Sequence, residues 1–370
     1  MTTLLQALSG AGMRRRSRAG HSFLNRGHSH FTVVRLGADR APLRHPASNG
    51  RTPMDRRSFM TTSLLAAAGA LTGLRIAPVA AQSGSPGIAV AQSFPVGSAT
   101  VTAFSDGFLP ITAEALQGIT PEDFQNLLRA AYIDGDGHPT GVNAYLIELG
   151  EERILVDTGT GQLMGPGLGQ LGANMAAFGV DPASIGRIIA THLHPDHIGG
   201  ILAPDGNPYT GAGLTVSQPE IDFWRSDEIR NGAPEQFHPF FDQARAAVDA
   251  FGDRLEVVAE DADLGNGITL VPLPGHTLGH TGVMLESEGS QLLIWGDIVH
   301  VGPVQFARPE VTIVFDTAAD MAAQTRADIL ARAAADRIQI AGMHIAFPGI
   351  GYVEAAQEGY RFVPRAFPYG

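Results

Sequence analysis

Thr191-His192-Leu193-His194-Pro195-Asp196-His197 comes directly after the apolar run Ile188-Ile189-Ala190 and sets three imidazoles and a carboxylate within six positions. Crowded imidazoles repel one another when protonated unless something cationic lies between them. A divalent metal ion meets that need, taking neutral imidazole nitrogen and carboxylate oxygen as ligands. Alternate residues of extended chain share a face, so a strand running into this loop aims His192 and His194 to one side. Asp196 and His197 then face a neighbouring position, which points to two metals rather than one.

Three more ligand-type residues each follow an apolar run. His276 comes after Ile268-Thr269-Leu270-Val271-Pro272-Leu273-Pro274-Gly275, Asp297 after Leu292-Leu293-Ile294-Trp295-Gly296, and His344 after Ile338-Gln339-Ile340-Ala341-Gly342-Met343. Four strand-then-ligand units are what a site at one edge of a sheet requires. A lone histidine is most often packed or solvated, but seven residues in this order are read as a metal site. The order H-x-H-x-D-H, His, Asp, His resembles the metallo-β-lactamase superfamily. The resemblance implies two divalent ions, zinc in type. One is held by His192, His194 and His276, the other by Asp196, His197 and His344, and Asp297 bridges both.

A narrower resemblance, to the methyl parathion hydrolase branch, runs from about Val101 to Pro364. It is carried by Val142-Asn143-Ala144-Tyr145-Leu146-Ile147, Val156-Asp157-Thr158-Gly159, His276-Thr277-Leu278-Gly279-His280-Thr281 and Val304-Gln305-Phe306. Phe347-Pro348-Gly349-Ile350-Gly351 and Gly359-Tyr360-Arg361-Phe362-Val363-Pro364 add to it. Where that branch has an early pocket aromatic, this chain offers Met164. By spacing from His192, Trp224 and Phe241 match aromatics that cover the substrate there; Phe240 and Phe306 are further pocket candidates. Asp157 is expected beneath the metals, hydrogen-bonded to a ligand. His280 reads as a structural partner, His300 as a weaker pocket candidate, and His138 and His238 as solvated.

Residues 1–81 differ from the rest. Met54-Asp55-Arg56-Arg57-Ser58-Phe59-Met60 precedes the apolar stretch 61–74, and Pro78-Val79-Ala80-Ala81 offers small residues for cleavage. Residues 54–81 therefore resemble a twin-arginine export signal, which implies a periplasmic location. As a membrane anchor the stretch is short and is interrupted by Gly69, Gly73 and Arg75. Residues 1–53 read as a disordered extension or an upstream mis-start, leaving 82–370 as one hydrolase domain. Residues 1–81 hold 12 of the 25 basic residues, all arginine, and 2 of the 37 acidic ones, so the remainder carries 13 against 35, a net charge near −22. Such a surface repels phosphate backbones and excludes nucleic acid as a partner. The chain has no Cys and no Lys; export brings no disulfides, and the missing lysine reads as nucleotide bias.

Apolar periodicity predicts strands at 101–104, 144–148, 153–157, 188–190, 214–217, 255–258, 268–273, 281–285 and 291–294. Helices are predicted at 121–132, 168–178, 219–225, 239–251 and 318–335. Two strand groups, each with helices outside, predict an α/β fold, a four-layer αβ/βα sandwich with the metals at the shared edge.

The resemblance implies a dinuclear-metal hydrolase with a metal-bridging hydroxide, acting on organophosphate triesters, aryl esters or lactones, with Asp297 and Asp196 catalytic and the chain a possible homodimer. A lactonase or arylesterase with only incidental phosphotriester turnover is the first alternative. A mononuclear iron persulfide dioxygenase, drawing on a similar ligand list, is the second. A flavodiiron protein is disfavoured because it places Glu where His194 stands and adds a flavin domain.

Overall fold

Alternation of side chains along the strands decides the layering. The computed structural model describes residues 91–367, so the expected extension (1–53) and export signal (54–81) lie outside the described residues. One sheet takes β1 (Ala91–Val96), β2 (Ala99–Thr112), β4 (Gly137–Leu149), β5 (Glu152–Val156), β6 (Arg187–Ile189), β7 (Gly213–Ser217) and β8 (Leu255–Val258), in that order. Its strands pair antiparallel up to β5 and parallel from β5 to β8. Between β2 and β4, β3 (Leu116–Gln117) pairs outside this sheet with β13 (Thr312–Ile313).

The second sheet runs β16 (Tyr360–Pro364), β15 (Ile350–Ala355), β14 (Gln339–Ala341), β12 (Ser290–Ile294), β11 (Thr281–Ser287), β10 (Ile268–Pro272) and β9 (Asp263–Gly265). Only its β12–β14 pair is parallel. The helices are α1 (Pro121–Ala130), α2 (Leu171–Ala177), α3 (Pro195–Ile198) and α4 (Gln218–Arg225), then α5 (Asp227–Gly232), α6 (His238–Asp249), α7 (Gly302–Gln305) and α8 (Ala319–Asp336).

Successive strand residues face opposite sides of a sheet. On β4 and β5, Tyr145, Ile147, Ile154 and Val156 enter a core shared with Val283, Leu285, Leu292 and Ile294 of the other sheet. Leu146 and Leu155 between them face outward, onto Met175 of α2, Phe223 of α4 and Phe241 of α6. On the far side Leu293 and Ile340 pack against Ile329, Leu330 and Ala333 of α8. The order helix, sheet, sheet, helix is the expected four-layer sandwich.

The helix expected from 168 begins only at Leu171. Gly161, Gly165 and Gly169 have φ of +53°, +88° and +75°, which keeps the preceding stretch a loop. Helix α5, the edge strands β1 and β16, and β15 inside β16 are additions to the sequence reading. Among the described residues no helix is long and apolar enough to cross a membrane.

Candidate metal centre

All four ligand stretches leave strands at one edge of the sandwich. Strand β6 ends at Ile189, and the chain passes His192 and His194 before α3, which opens on Pro195 and carries Asp196 and His197. Proline at the first helical position sacrifices no hydrogen bond, so the helix can start this soon after the strand. His276 follows β10 and Asp297 follows β12. Strand β14 lies parallel to β12, so the turn bearing His344 emerges beside Asp297.

The seven residues form two groups with one shared member. Donor atoms of His192, His194, His276 and Asp297 lie within 4.8 Å of one another, as do those of Asp196, His197, Asp297 and His344. Asp297 is the hub. Its Oδ2 stands 3.7 Å from His192 Nε2, 3.2 Å from His276 Nε2 and 3.1 Å from His344 Nε2, and its Oδ1 stands 3.2 Å from His197 Nε2. Asp196 Oδ2 is 3.3 Å from His344 Nε2 and 3.5 Å from His197 Nε2.

His192 Nε2, His197 Nε2 and Asp297 Oδ1 are buried without a hydrogen-bond partner among the described residues. Buried polar atoms are rarely orphaned, and these three point into the same two gaps. Four histidines turn Nε2 inward because Nδ1 is engaged behind. His192 Nδ1 meets Thr191 Oγ1 at 3.1 Å, His197 Nδ1 meets Asp157 at 2.7 Å, His276 Nδ1 meets Asp316 at 2.8 Å, and His344 Nδ1 donates to the Gly141 carbonyl at 2.8 Å. His194 instead turns Nδ1 inward, 2.9 Å from His276 Nε2. Ring orientation fixed from outside is how proteins prepare imidazole for a metal, so the donor set fits two divalent ions.

Electrostatics favours positive charge between these groups. Burial, joined by repulsion from neighbouring imidazoles, holds His192 and His194 well below the usual histidine range. Burial opposes charge on Asp297 too, but His197, His344 and His192 outweigh it and keep the carboxylate well below its ordinary range. His276 and His344 rise to about 9 and about 10, because the carboxylates beside them outweigh burial. A divalent cation answers the same field in place of those protons.

The supports lie behind the ligands. Asp157 occupies the left-handed region (φ +61°), unusual for a non-glycine residue. Its carboxylate accepts from the Thr191 N–H and hydroxyl, both at 2.8 Å, besides meeting His197. His280 is pushed down to about 3, mainly by burial. It donates from Nδ1 to the Leu273 carbonyl and accepts the Asp297 N–H at Nε2, 3.0 Å away. Asp316, unremarked in sequence, also accepts the Ile313 N–H at Oδ2. Buried Arg326 lies 3.8 Å from that oxygen and donates to the carbonyls of Ile298, Pro309 and Val311.

Beside the centre opens a pocket of about 130 Å³. His194, Asp196, His276, Asp297 and His344 form its polar floor; Leu109, Ile111, Leu163, Met164, Phe240 and Phe315 form an apolar wall. Met164 and Phe240 thus stand where the sequence suggested. Trp224, Phe241 and Phe306 do not. Trp224 and Phe241 pack on each other at 4.8 Å in the helix-side core, and Phe306 stacks on Phe362 at 5.8 Å behind the second sheet. Of the two neighbouring aromatics on α6, Phe240 faces the pocket and Phe241 the core.

Two histidines also need correcting. His300 lines the pocket, with Nε2 3.2 Å from Asp297 Oδ2 and its ring stacked on His344. His138 is buried rather than solvated; burial pushes it down to about 4, and its Nδ1 lies 2.9 Å from Thr140 Oγ1. His238 is half-buried against the Ala233 carbonyl.

The two adjacent phenylalanines should separate cleanly. Phe241→Ala is expected to cost about 3–5 kcal/mol in urea unfolding with KM little changed. Phe240→Ala is expected to lower kcat/KM about tenfold at nearly unchanged stability. Equal stability losses in the two variants contradict the assignment.

Over 160 residues the chain is 28% identical to the beta-lactamase-like protein 2 homolog of Caenorhabditis elegans, covering 43% of this chain and 44% of that protein. It is 30% identical over 159 residues to the lactamase-like protein adaB of Aspergillus niger, covering 43% and 39%. The chain spans under half the length of these curated relatives. Among solved structures, the hydrolase AbOPH of the beta lactamase superfamily is 29% identical with a TM-score of 0.73, over 76% of this chain and 100% of that one. AidC, a dizinc quorum-quenching lactonase bound to a product, is 22% identical with a TM-score of 0.70 over the same shares, a likeness of fold. Residues 137–342, more than half of the chain, match the family model of the metallo-beta-lactamase superfamily, and the chain belongs to that superfamily.

Proposed function

We propose that this chain is a dinuclear-metal hydrolase of small neutral lactones and aryl esters. The observation that carries the reading is the Asp297 carboxylate, which meets imidazoles of both donor groups on the floor of an apolar-walled pocket. His192, His194 and His276 would hold one divalent ion and Asp196, His197 and His344 the other, with Asp297 belonging to both donor groups. Two such ions supply an activated water nucleophile and polarise the substrate's acyl or phosphoryl oxygen. Asp157 and Asp316 fix the imidazoles of His197 and His276 from behind.

Met164, Phe240 and Phe315 exclude water from the bound substrate and suit a flat apolar group. Among the described residues no arginine lines the pocket, so apart from the metal centre itself no guanidinium is there to select a carboxylate or phosphate monoester. Phenolate and enolate leaving groups need no proton from the protein. The negative surface and the twin-arginine-like segment accord with an exported enzyme that takes neutral substrates.

Aryl phosphotriesters compete as substrates, since the branch resemblance includes Gln305. Its Oε1 accepts the His300 and Val301 N–H groups, holding the chain after Asp297. Initial rates of the metal-loaded protein on dihydrocoumarin and on methyl parathion, with His192→Ala as control, separate the two. The lactone is expected to lead by about a hundredfold in kcat/KM, some 2.7 kcal/mol in transition-state preference, and both rates should collapse in the control. Dominant phosphotriester turnover makes the enzyme a phosphotriesterase instead; turnover of neither defeats the hydrolase reading.

A further inference from the structure

Glu220, on α4, has no exposed surface. Its Oε1 accepts the Leu193 backbone N–H at 2.8 Å and the Trp224 indole N–H at 2.6 Å, and its Oε2 accepts the Thr277 hydroxyl at 2.7 Å. Leu193 stands between His192 and His194, and Thr277 directly follows His276. One carboxylate thus joins the two stretches of chain that supply the three-histidine group. A buried carboxylate keeps its place only when donors offset its lost hydration, and two of its three donors belong to those stretches.

The backbone closes the same joint. At Gly279 a β-carbon would come within 2.1 Å of the Glu220 backbone nitrogen, so only glycine permits this approach. Ser217, at the start of α4, donates its hydroxyl to the Gly279 carbonyl at 2.7 Å. The other group has different supports: His197 rests on Asp157 and His344 on the Gly141 carbonyl.

We propose that Glu220 is a positioning residue that sets the gap between the His192–His194 loop and His276, and thereby the metal affinity of that group but not of the Asp196–His197–His344 group. The proposal rests on the reading that these side chains hold two ions. It is tested by zinc titration against a chromophoric chelator, with circular dichroism and melting curves of each metal-free variant. Wild type should take up two ions. Glu220→Ala should weaken one of them about 10–100-fold, the loss typical when a group that orients a ligand is removed, and leave the other unchanged.

Glu220→Gln should restore affinity to within about threefold, since one amide oxygen serves Leu193 and Trp224 while the NH2 donates to the rotatable Thr277 hydroxyl. Thr277→Val cuts only the link to His276 and should weaken the same ion roughly tenfold; it decides the matter if the alanine variant does not fold. Equal weakening of both ions, weakening of neither, or failure of the glutamine variant to rescue overturns the proposal. Fewer than two ions in wild type overturns the underlying reading as well, and shows it before any variant is compared.

Discussion

Asp297→Ala is expected to lower kcat by at least about 10³-fold, a barrier increase near 4 kcal/mol. Among the described residues this carboxylate alone belongs to both donor groups, with oxygens 3.1–3.7 Å from four of the imidazoles assigned as ligands. On the proposed two-ion reading, its removal would take a ligand from each ion and a negative charge from between them. Asn at this position keeps the volume and one oxygen but not the charge, so Asp297→Asn should recover only a small part of the loss. Rates at saturating zinc, with bound metal measured on the same samples, check this. Retention of more than a tenth of wild-type kcat in the alanine variant contradicts the shared-ligand role.

Removing the metals should cost stability as well as activity. A site occupied at about a thousand times its Kd adds roughly 4.1 kcal/mol to folding, and two such sites add about twice that. For a domain of this size each kcal/mol moves Tm by about 2–4 °C, so chelator-treated protein should melt at least about 15 °C lower. Zinc should restore both Tm and turnover. The two donor groups draw on the ends of β6, β10, β12 and β14, so ions held there would add a further link between two sheets joined by side-chain packing and by hydrogen bonds such as that from the Asn143 N–H to the Met343 carbonyl. An unchanged Tm after complete removal contradicts an ion pair embedded in the fold.

The residues of the two donor groups were legible because they fall in four stretches, each after an apolar strand run, a local signal that survives without knowledge of the tertiary structure. The layering was legible for the same reason, since residues such as Ile154, Leu155 and Val156 can fill both faces only in a sheet covered on both sides. What supports the ligands was not. Asp316 lies forty positions from His276, and no spacing links them. Glu220 reads as an ordinary acidic residue in the first turn of a helix until Leu193 and Thr277 are folded against it. His138 sits among Gly and Pro in a stretch that resembles a loop, yet the long β4 carries it inside. Trp224 and Phe241 misled for the opposite reason, because helical spacing does not distinguish an aromatic that faces a pocket from one that faces the core.

Metal analysis of the purified wild-type protein bears most directly on the account. Two equivalents of a zinc-type divalent ion per chain, falling in His192→Ala and Asp297→Ala together with hydrolysis, is the predicted result. A single iron per chain in protein that hydrolyses neither lactone nor phosphotriester contradicts it.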